Sequence, residues 1–326
     1  MTTDVSILCA LRQTQDQGIS GAALSAQLGI SRAAIWARIE EMRKLGYEIE
    51  ATPHSGYRLL RVPDVLHGDD LVARLSHPRI IGREVRVFKE TTSTNDVVEK
   101  MAADGVAEGV VVIAESQTRG RGRLSRRWES SSGKGLWFSV LLRPAMAPQA
   151  ATRITIAAAV SIVRAVWATT GVQAEIKWPN DVQIRGKKLA GILTELNAEL
   201  DRIRYLVLGV GVNLNQAVKD FPPEVAKLAT SLAIETGAPV DRGALAARIM
   251  EELERDYARI CGGGFEALAN EWAQHCSTLG KQVRIQIGDR LVQGRAESLD
   301  AEGALLVRSS YGNLERIVGG DVTVLK

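Results

Sequence analysis

Apolar residues in the first third of the chain recur with a helical period. Val5, Leu8, Cys9 and Leu11 share one face of a segment running from 3 to 16. A second helix is predicted from Ala22 to Leu28 behind Ser20, and Gly29-Ile30 makes a tight turn. Ser31 opens a third helix that reaches Leu45, with Ile35, Ile39 and Met42 at i, i+4 and i+7. Serine suits both starts because its hydroxyl accepts a hydrogen bond from an N–H of the first turn. Two short β-like pieces follow, Tyr47 to Ala51 and Tyr57 to Leu60, joined by Thr52-Pro53-His54-Ser55-Gly56. Three helices and a hairpin, over residues 1–63, form the pattern of a winged helix-turn-helix.

Val62 to Asp70, with Pro63 and Gly68, reads as a linker. Beyond it strands and helices mix. Strands are predicted at Glu84 to Phe88, Val110 to Glu115, Leu136 to Leu142, Glu175 to Trp178, Leu189 to Glu199 and Ile203 to Val212. A helix covers Ser93 to Ala103, a long one ends near Gly171, and two more span Asp241 to Ile260 and Phe265 to Cys276. Hairpins outnumber strand-helix alternations, which favours an α+β mixed sheet over a doubly wound one. From Val283 onward the period becomes two, in five short strands with Gly-Asp, Glu-Gly and Gly-Asn turns, the signature of a small SH3-like β-barrel. The reading therefore divides the chain into 1–63, 64–278 and 279–326.

Composition narrows the function classes. A net charge of +3 over 326 residues excludes wholesale polyanion binding and leaves that to local patches. Three scattered cysteines, Cys9, Cys261 and Cys276, fit neither a disulfide framework nor a zinc site. The N-terminal segment lacks a signal-peptide pattern, and the most apolar run, Ala157 to Val166, is interrupted by Ser161 and Arg164, so the expectation is a cytoplasmic protein without membrane contact.

Two regions carry candidate chemistry. On the third helix, Ile35, Ile39 and Met42 take the core face and leave Ser31, Arg32, Ala33, Trp36 and Arg38 outward, as a DNA-recognition helix requires. A three-helix module for protein contacts, with Trp36 buried, has the same pattern. The second region is the run Gly120-Arg121-Gly122-Arg123-Leu124-Ser125-Arg126-Arg127-Trp128, between two apolar strands. Guanidinium forks on a glycine-permissive backbone suit carboxylate or phosphate, although a solvated or RNA-contacting loop reads alike. Lys177-Trp178-Pro179-Asn180-Asp181 and Gly186-Lys187-Lys188-Leu189-Ala190-Gly191-Ile192 add cations and a carboxylate, and exposed hairpin turns remain the plainer reading for Lys187. In Gly209-Val210-Gly211-Val212-Asn213 the glycines let a ligand approach a strand backbone. Neither a P-loop nor a dinucleotide fingerprint is present.

Together with Ser93-Thr94-Asn95 and Gln117, these motifs resemble the biotin protein ligases, in the bifunctional type that also represses the biotin operon. The resemblance runs in the family's order over almost the whole chain. It implies a class II synthetase-like catalytic domain that joins biotin and ATP into biotinyl-5′-AMP and passes the acyl group to a lysine of a biotin carboxyl carrier domain. It implies biotin contacts from Ser93, Thr94, Asn95, Gln117, Gly120, Arg121, Lys188 and Gly191. It places ATP or adenylate against Arg123, Trp128, Lys177, Asn180, Lys188 and Asn213, with Arg121, Arg123, Lys188 and Asp181 catalytic and Asp181 a candidate for Mg²⁺. Operator DNA and a ligand-promoted homodimer complete the implied partners. A non-catalytic sensor and a lipoate-type ligase are the alternatives. The sequence departs from the family at Ser125, where a glycine is usual, and at Leu124, where a basic residue is common.

Overall fold

The amphipathic start of the chain folds as α1 (Thr3–Thr14), α2 (Gly21–Leu28) and α3 (Arg32–Lys44), followed by the antiparallel pair β1 (Glu48–Thr52) and β2 (Gly56–Arg61). The computed structural model describes residues 2–14, 17–53, 56–76 and 80–325. Gln15 and Asp16 at the end of the first expected helix, and His54 and Ser55 of the hairpin turn, lie outside the described residues. Both serine caps form: the hydroxyl oxygens of Ser20 and Ser31 accept from the N–H groups of Ala23 and Ala34 at 3.0 and 3.1 Å. Ile35, Ile39 and Met42 pack with Val5, Leu8, Leu11 and Leu24 in a core of their own. Ser31, Arg32, Ala33, Trp36 and Arg38 face outward. Trp36, 56% exposed, is therefore not a buried aromatic of the bundle.

The expected linker is partly a structural element. Leu66 and Asp70 are buried, and Gly68 starts α4 (Gly68–Arg74), which packs against α1. Glycine and proline marked a break correctly but concealed the helix behind it.

A seven-stranded mixed sheet follows. Its elements are β3 (Glu84–Thr91), α5 (Thr94–Ala103), β4 (Val110–Gln117), β5 (Gly135–Leu142), α6 (Thr152–Thr170), β6 (Glu175–Lys177), β7 (Asp181–Ile184), β8 (Lys187–Ala198) and β9 (Ile203–Asn213). The order is β3-β4-β5-β9-β8-β7-β6, with only the β3–β4 pair parallel. β7 escaped the sequence reading because four residues carry too little alternation to stand out from a turn. α7 (Pro223–Ala226) and α8 (Leu232–Thr236) lead to α9 (Arg242–Cys261) and α10 (Phe265–His275).

α6 and α9 pack together on one face of the sheet, while α5 covers β4, β5 and β9 on the other. Successive residues of β4 divide between the two layers, Val111 and Ile113 joining the main core and Val110 and Val112 the layer under α5. Burial on both faces explains why that strand is continuously apolar. The stretch Pro148–Thr170, which contains α6, has the length and composition to cross a bilayer, contrary to the sequence expectation; its apolar window is 72% buried, as a core helix requires. The chain closes with β10 (Gln282–Ile287), β11 (Arg290–Leu299), β12 (Leu305–Arg308), β13 (Leu314–Ile317) and β14 (Asp321–Val324), an antiparallel SH3-like unit ordered β13-β12-β11-β10-β14.

Two charge networks meet at the start of α9. Asp70 pairs with Arg12 of α1 and, at 2.8 Å, with Arg74, which reaches Asp241 at 3.1 Å. The next residue, Arg242, is fully buried and pairs with Glu115 at 2.7 Å. Its guanidinium also donates to the Asp64 carbonyl, and Glu115 accepts from the Leu66 N–H at 2.9 Å. Two consecutive residues at the start of α9 thus join these networks, beside the packing of α4 against α1, α9 and β3.

Candidate functional site

The basic run between β4 and β5 folds as a small hairpin. Gly122 N–H donates to the Arg126 carbonyl at 2.7 Å, Trp128 N–H to the Gly120 carbonyl at 2.9 Å, and Arg121 pairs with Arg127 as a β-bridge. Its tip is a single turn, Arg123–Ser125, with Leu124 at φ +55° and Ser125 at φ +56°. Both residues that depart from the family pattern thus occupy the left-handed region, where a side chain costs about 1 kcal/mol.

Under this hairpin lies a cavity of about 510 Å³, walled by the start of α5, strands β8 and β9, and the β13–β14 turn. Ser93, Thr94, Asn95, Gln117, Arg121, Arg123, Trp128, Lys177, Asn180, Asp181, Lys188, Gly191 and Asn213 all line it. Gly120 does not: it packs under the Trp128 carbonyl, whose oxygen would stand 2.5 Å from an added Cβ. Lys187 is exposed and outside the lining. Trp128 lies against Gly211, where a Cβ would come within 2.6 Å of the indole, and it meets Trp137 edge-on at 6.0 Å.

One end of the cavity is a hydrogen-bonding slot. Gln117 Oε1 accepts from the N–H of Thr94 at 2.9 Å, and its amide nitrogen donates to Ser130 Oγ at 2.9 Å. Buried Ser139 joins Thr94 Oγ1 at 2.6 Å to Asn95 Oδ1 at 2.5 Å. Ser93 is buried beside them at the helix start.

The other end is cationic. Lys188 Nζ stands 2.7 Å from Asp181 Oδ1 and 5.2 Å from the Trp128 ring centre. Its backbone is held by the 225–230 segment, with Lys188 N–H donating to Leu228 O and Thr230 N–H to Lys188 O. Arg123 donates to Asn180 Oδ1 at 3.2 Å, and Asn180 donates to the Ile192 carbonyl at 2.8 Å. Burial pushes the Arg123 guanidinium below its ordinary value, against the pull of Asp321 and Asp181. Buried Asn213 bridges the Lys188 carbonyl and Gln216 at 3.4 Å each.

The remaining arginines all have acidic partners, and those of Arg121 and Arg126 are far away in sequence. Burial opposes the charge of Arg121, but hydrogen bonds to Glu195 and Asp96 outweigh it and raise its pKa. Arg126 pairs with Asp321 at the start of β14, and Arg127 with Glu129 at 2.8 Å. Ser139, Glu195, Asp96 and Asp321 were invisible as site residues, because no local motif marks them.

This arrangement can hold a polar ring at one end and gather anionic groups beside a lysine and an arginine at the other. Among the described residues, neither histidine nor cysteine lines the cavity, while lysine, arginine and amide groups do, a set suited to positioning and charge stabilisation. Asp181 is already paired with Lys188, and among the described residues no three His, Cys, Asp or Glu side chains gather into a metal cage.

Fold and site together define the class of biotin and lipoate ligases. The profile described as the Biotin/lipoate A/B protein ligase family matches residues 87–213, flanked by an HTH domain over 6–58 and a Biotin protein ligase C terminal domain over 278–325. Over 310 residues the chain is 37% identical to the bifunctional ligase/repressor BirA of Bacillus spizizenii, across 95% of each chain. It is 35% identical over 252 residues to the biotin--[acetyl-CoA-carboxylase] ligase of Mycobacterium tuberculosis, across 75% of this chain and 90% of that one. The biotin protein ligase of Aquifex aeolicus, solved with biotin and ATP, superposes with a TM-score of 0.64 at 27% identity, over 75% of this chain and 99% of its own. The chain belongs to the bifunctional ligase/repressor family of biotin protein ligases.

Proposed function

We propose that this chain is an ATP-dependent biotin protein ligase that also represses transcription of biotin genes. The observation that carries the reading is the joining, in one cavity, of the Thr94–Gln117 slot with Lys188 and Arg123 beneath Trp128. Biotin's ureido ring, with two donors and one acceptor, fits the slot of Ser93, Thr94 and Gln117. Its carboxylate then points toward Lys188.

The carboxylate oxygen attacks the α-phosphorus of ATP, and pyrophosphate leaves, giving the acyl-adenylate. The ε-amine of a carrier lysine then attacks the acyl carbon, and AMP leaves. Both partners of the first step are anions, so bringing them together is the main barrier, and Lys188 and Arg123 offset the repulsion. Asp181 holds Lys188 in place; Lys177 and Asn180 flank the phosphates, and Asn213 and Trp128 take the adenine. Mg²⁺ belongs to the triphosphate in this scheme, since one carboxylate already engaged by a lysine suits an ion held mainly by substrate phosphates. Ser31, Arg32, Ala33, Trp36 and Arg38 present the DNA-contacting face, used by a homodimer that the adenylate promotes.

Pyrophosphate release is the direct test: with ATP-Mg²⁺ it is expected on adding biotin, followed by a biotinyl mass gain on a carboxyl carrier domain. Release only with lipoate overturns the choice of acid, and release with neither acid leaves a non-catalytic sensor. For the regulatory half, biotin plus ATP is expected to strengthen a footprint on biotin-gene promoter DNA; an unchanged footprint refutes it.

A further inference from the structure

Glu195 lies on β8, outside every motif that carries the family resemblance. Its carboxylate serves two masters at once. Oε2 accepts from Asn95 Nδ2 at 2.6 Å and from Arg121 Nη2 at 2.9 Å, while Oε1 accepts from Arg121 Nε at 3.1 Å. The remaining arm of Arg121, Nη1, goes to Asp96, which also accepts from Thr92 Oγ1 at 2.8 Å. All three guanidinium nitrogens are thereby occupied by two carboxylates, the side-on geometry that a planar fork suits best. Arg121 therefore lines the cavity with its guanidinium held by carboxylates of the domain body.

The position of Arg121 gives this pairing its consequence. Through its β-bridge to Arg127 it forms the base of the 120–128 hairpin, so anchoring its side chain anchors the hairpin. Asn95, on the other side of Glu195, is fixed at both ends. Its Oδ1 accepts from Ser139 and its Nδ2 donates to Glu195, and it lies so close over Gly209 that a Cβ there would stand 2.3 Å away. Ser139 continues the row to Thr94, and Thr94 to Gln117. A continuous chain of hydrogen bonds thus runs from the polar slot through Glu195 to the hairpin.

We propose that Glu195 is a positioning residue that couples the acid-binding end of the cavity to closure of the hairpin. It touches no reacting atom. It orients the Asn95 amide and anchors Arg121, so the hairpin stays shut only while the Thr94–Ser139–Asn95 row is in register. Glu195 and Arg121 are both half-exposed, at 40% and 29% of their side-chain surfaces, so the link is one that can open and re-form during turnover. The functional consequence, retention of the acyl-adenylate until a carrier lysine arrives, rests on the ligase reading; the anchoring itself does not.

The full-length chain is compared with Glu195→Ala, Glu195→Gln, Arg121→Ala and the Glu195→Ala/Arg121→Ala pair. Without ligands, trypsin is expected to cut after Arg126 and Arg127 several-fold faster in Glu195→Ala. With biotin and ATP-Mg²⁺, the fraction of adenylate escaping into solution is expected to rise roughly tenfold, the scale of losing a charged hydrogen-bonded pair. Adenylate formation in a single turnover is expected to change far less. The double variant is expected to leak no more than Arg121→Ala alone, because both act through one anchor. Glu195→Gln, which keeps an acceptor without the charge, is expected to fall between. Parental cleavage and retention in Glu195→Ala overturn the proposal, as does leakage that multiplies in the double variant or a collapse of adenylate formation with leakage unchanged. If Glu195→Ala does not fold, Glu195→Gln decides by the same readouts. Failure of the parent to make adenylate overturns the ligase reading instead, and the ligand-free trypsin comparison then judges the anchor alone.

Discussion

Ser125 occupies a left-handed position at the hairpin tip that glycine adopts without cost and a β-branched residue adopts worst. Ser125→Val is therefore expected to open the tip, seen as faster tryptic cleavage after Arg126. Ser125→Gly is expected to leave that rate unchanged and to shift global stability by less than about 1 kcal/mol, because relief of strain is offset by a freer unfolded chain. At this scale the site was legible where chemistry is contiguous. Lys177 to Asp181, Lys188 to Gly191 and Gly209 to Asn213 stand together in sequence and line one cavity. The partners that hold the arginines were not legible: Glu195 is 74 residues from Arg121, and Asp321 is 195 residues from Arg126. An acidic residue on a strand carries no mark of which distant cation it meets. Arg121, expected as a ligand contact, lines the cavity and is also paired with Glu195 and Asp96.

Among the elements, α9 starts at two consecutive residues in ion pairs, Asp241 and Arg242. Arg242→Met removes the counter-charge of buried Glu115 and is expected to cost about 3–5 kcal/mol, read as a lower urea midpoint. Adding Glu115→Leu is expected to restore part of it, because a buried charge left alone costs more than an apolar pair. Asp241, the cap of the same helix, gives a pH dependence. Burial raises its pKa, but the Ala244 N–H and Arg74 outweigh burial and hold it below its ordinary 3.8. Its folded value lies below its unfolded one, so its stabilisation is present above 3.8 and is lost as pH falls through the folded value. The urea midpoint of the parent is expected to fall more steeply in acid than that of Asp241→Asn, the two converging at the lowest pH. Helices with serine caps and wide apolar faces were readable one by one. What hid α4 was its shortness and its opening glycine, which signals a break whether or not a helix follows.

Across the whole molecule, the cavity has walls from both the central sheet region and the C-terminal strands. The last unit contributes Gly320 of the β13–β14 turn and Asp321, Val322 and Thr323 of β14 to the cavity. The expected division of the chain at 63/64 and 278/279 rests on changes in hydrophobic period. That the last unit closes the site was not readable, since packing between units leaves no periodic trace. In the first unit, Arg32→Ala is expected to weaken promoter binding. A salt slope smaller by roughly one marks a lost phosphate contact, and an unchanged slope with relaxed base preference marks a lost guanine contact. The junction at Asp241 and Arg242 has a further consequence for geometry. In a two-fold dimer, recognition helices held rigidly to their catalytic domains meet DNA at one fixed separation, which must match whole turns of about 34 Å. Breaking the Arg12–Asp70–Arg74–Asp241 relay, as in Asp70→Asn, would then widen the range of spacings between half-sites that the protein accepts while leaving its grip on each half-site intact. In such a dimer, the ruler for the operator would include side chains at the start of α9, far from the DNA.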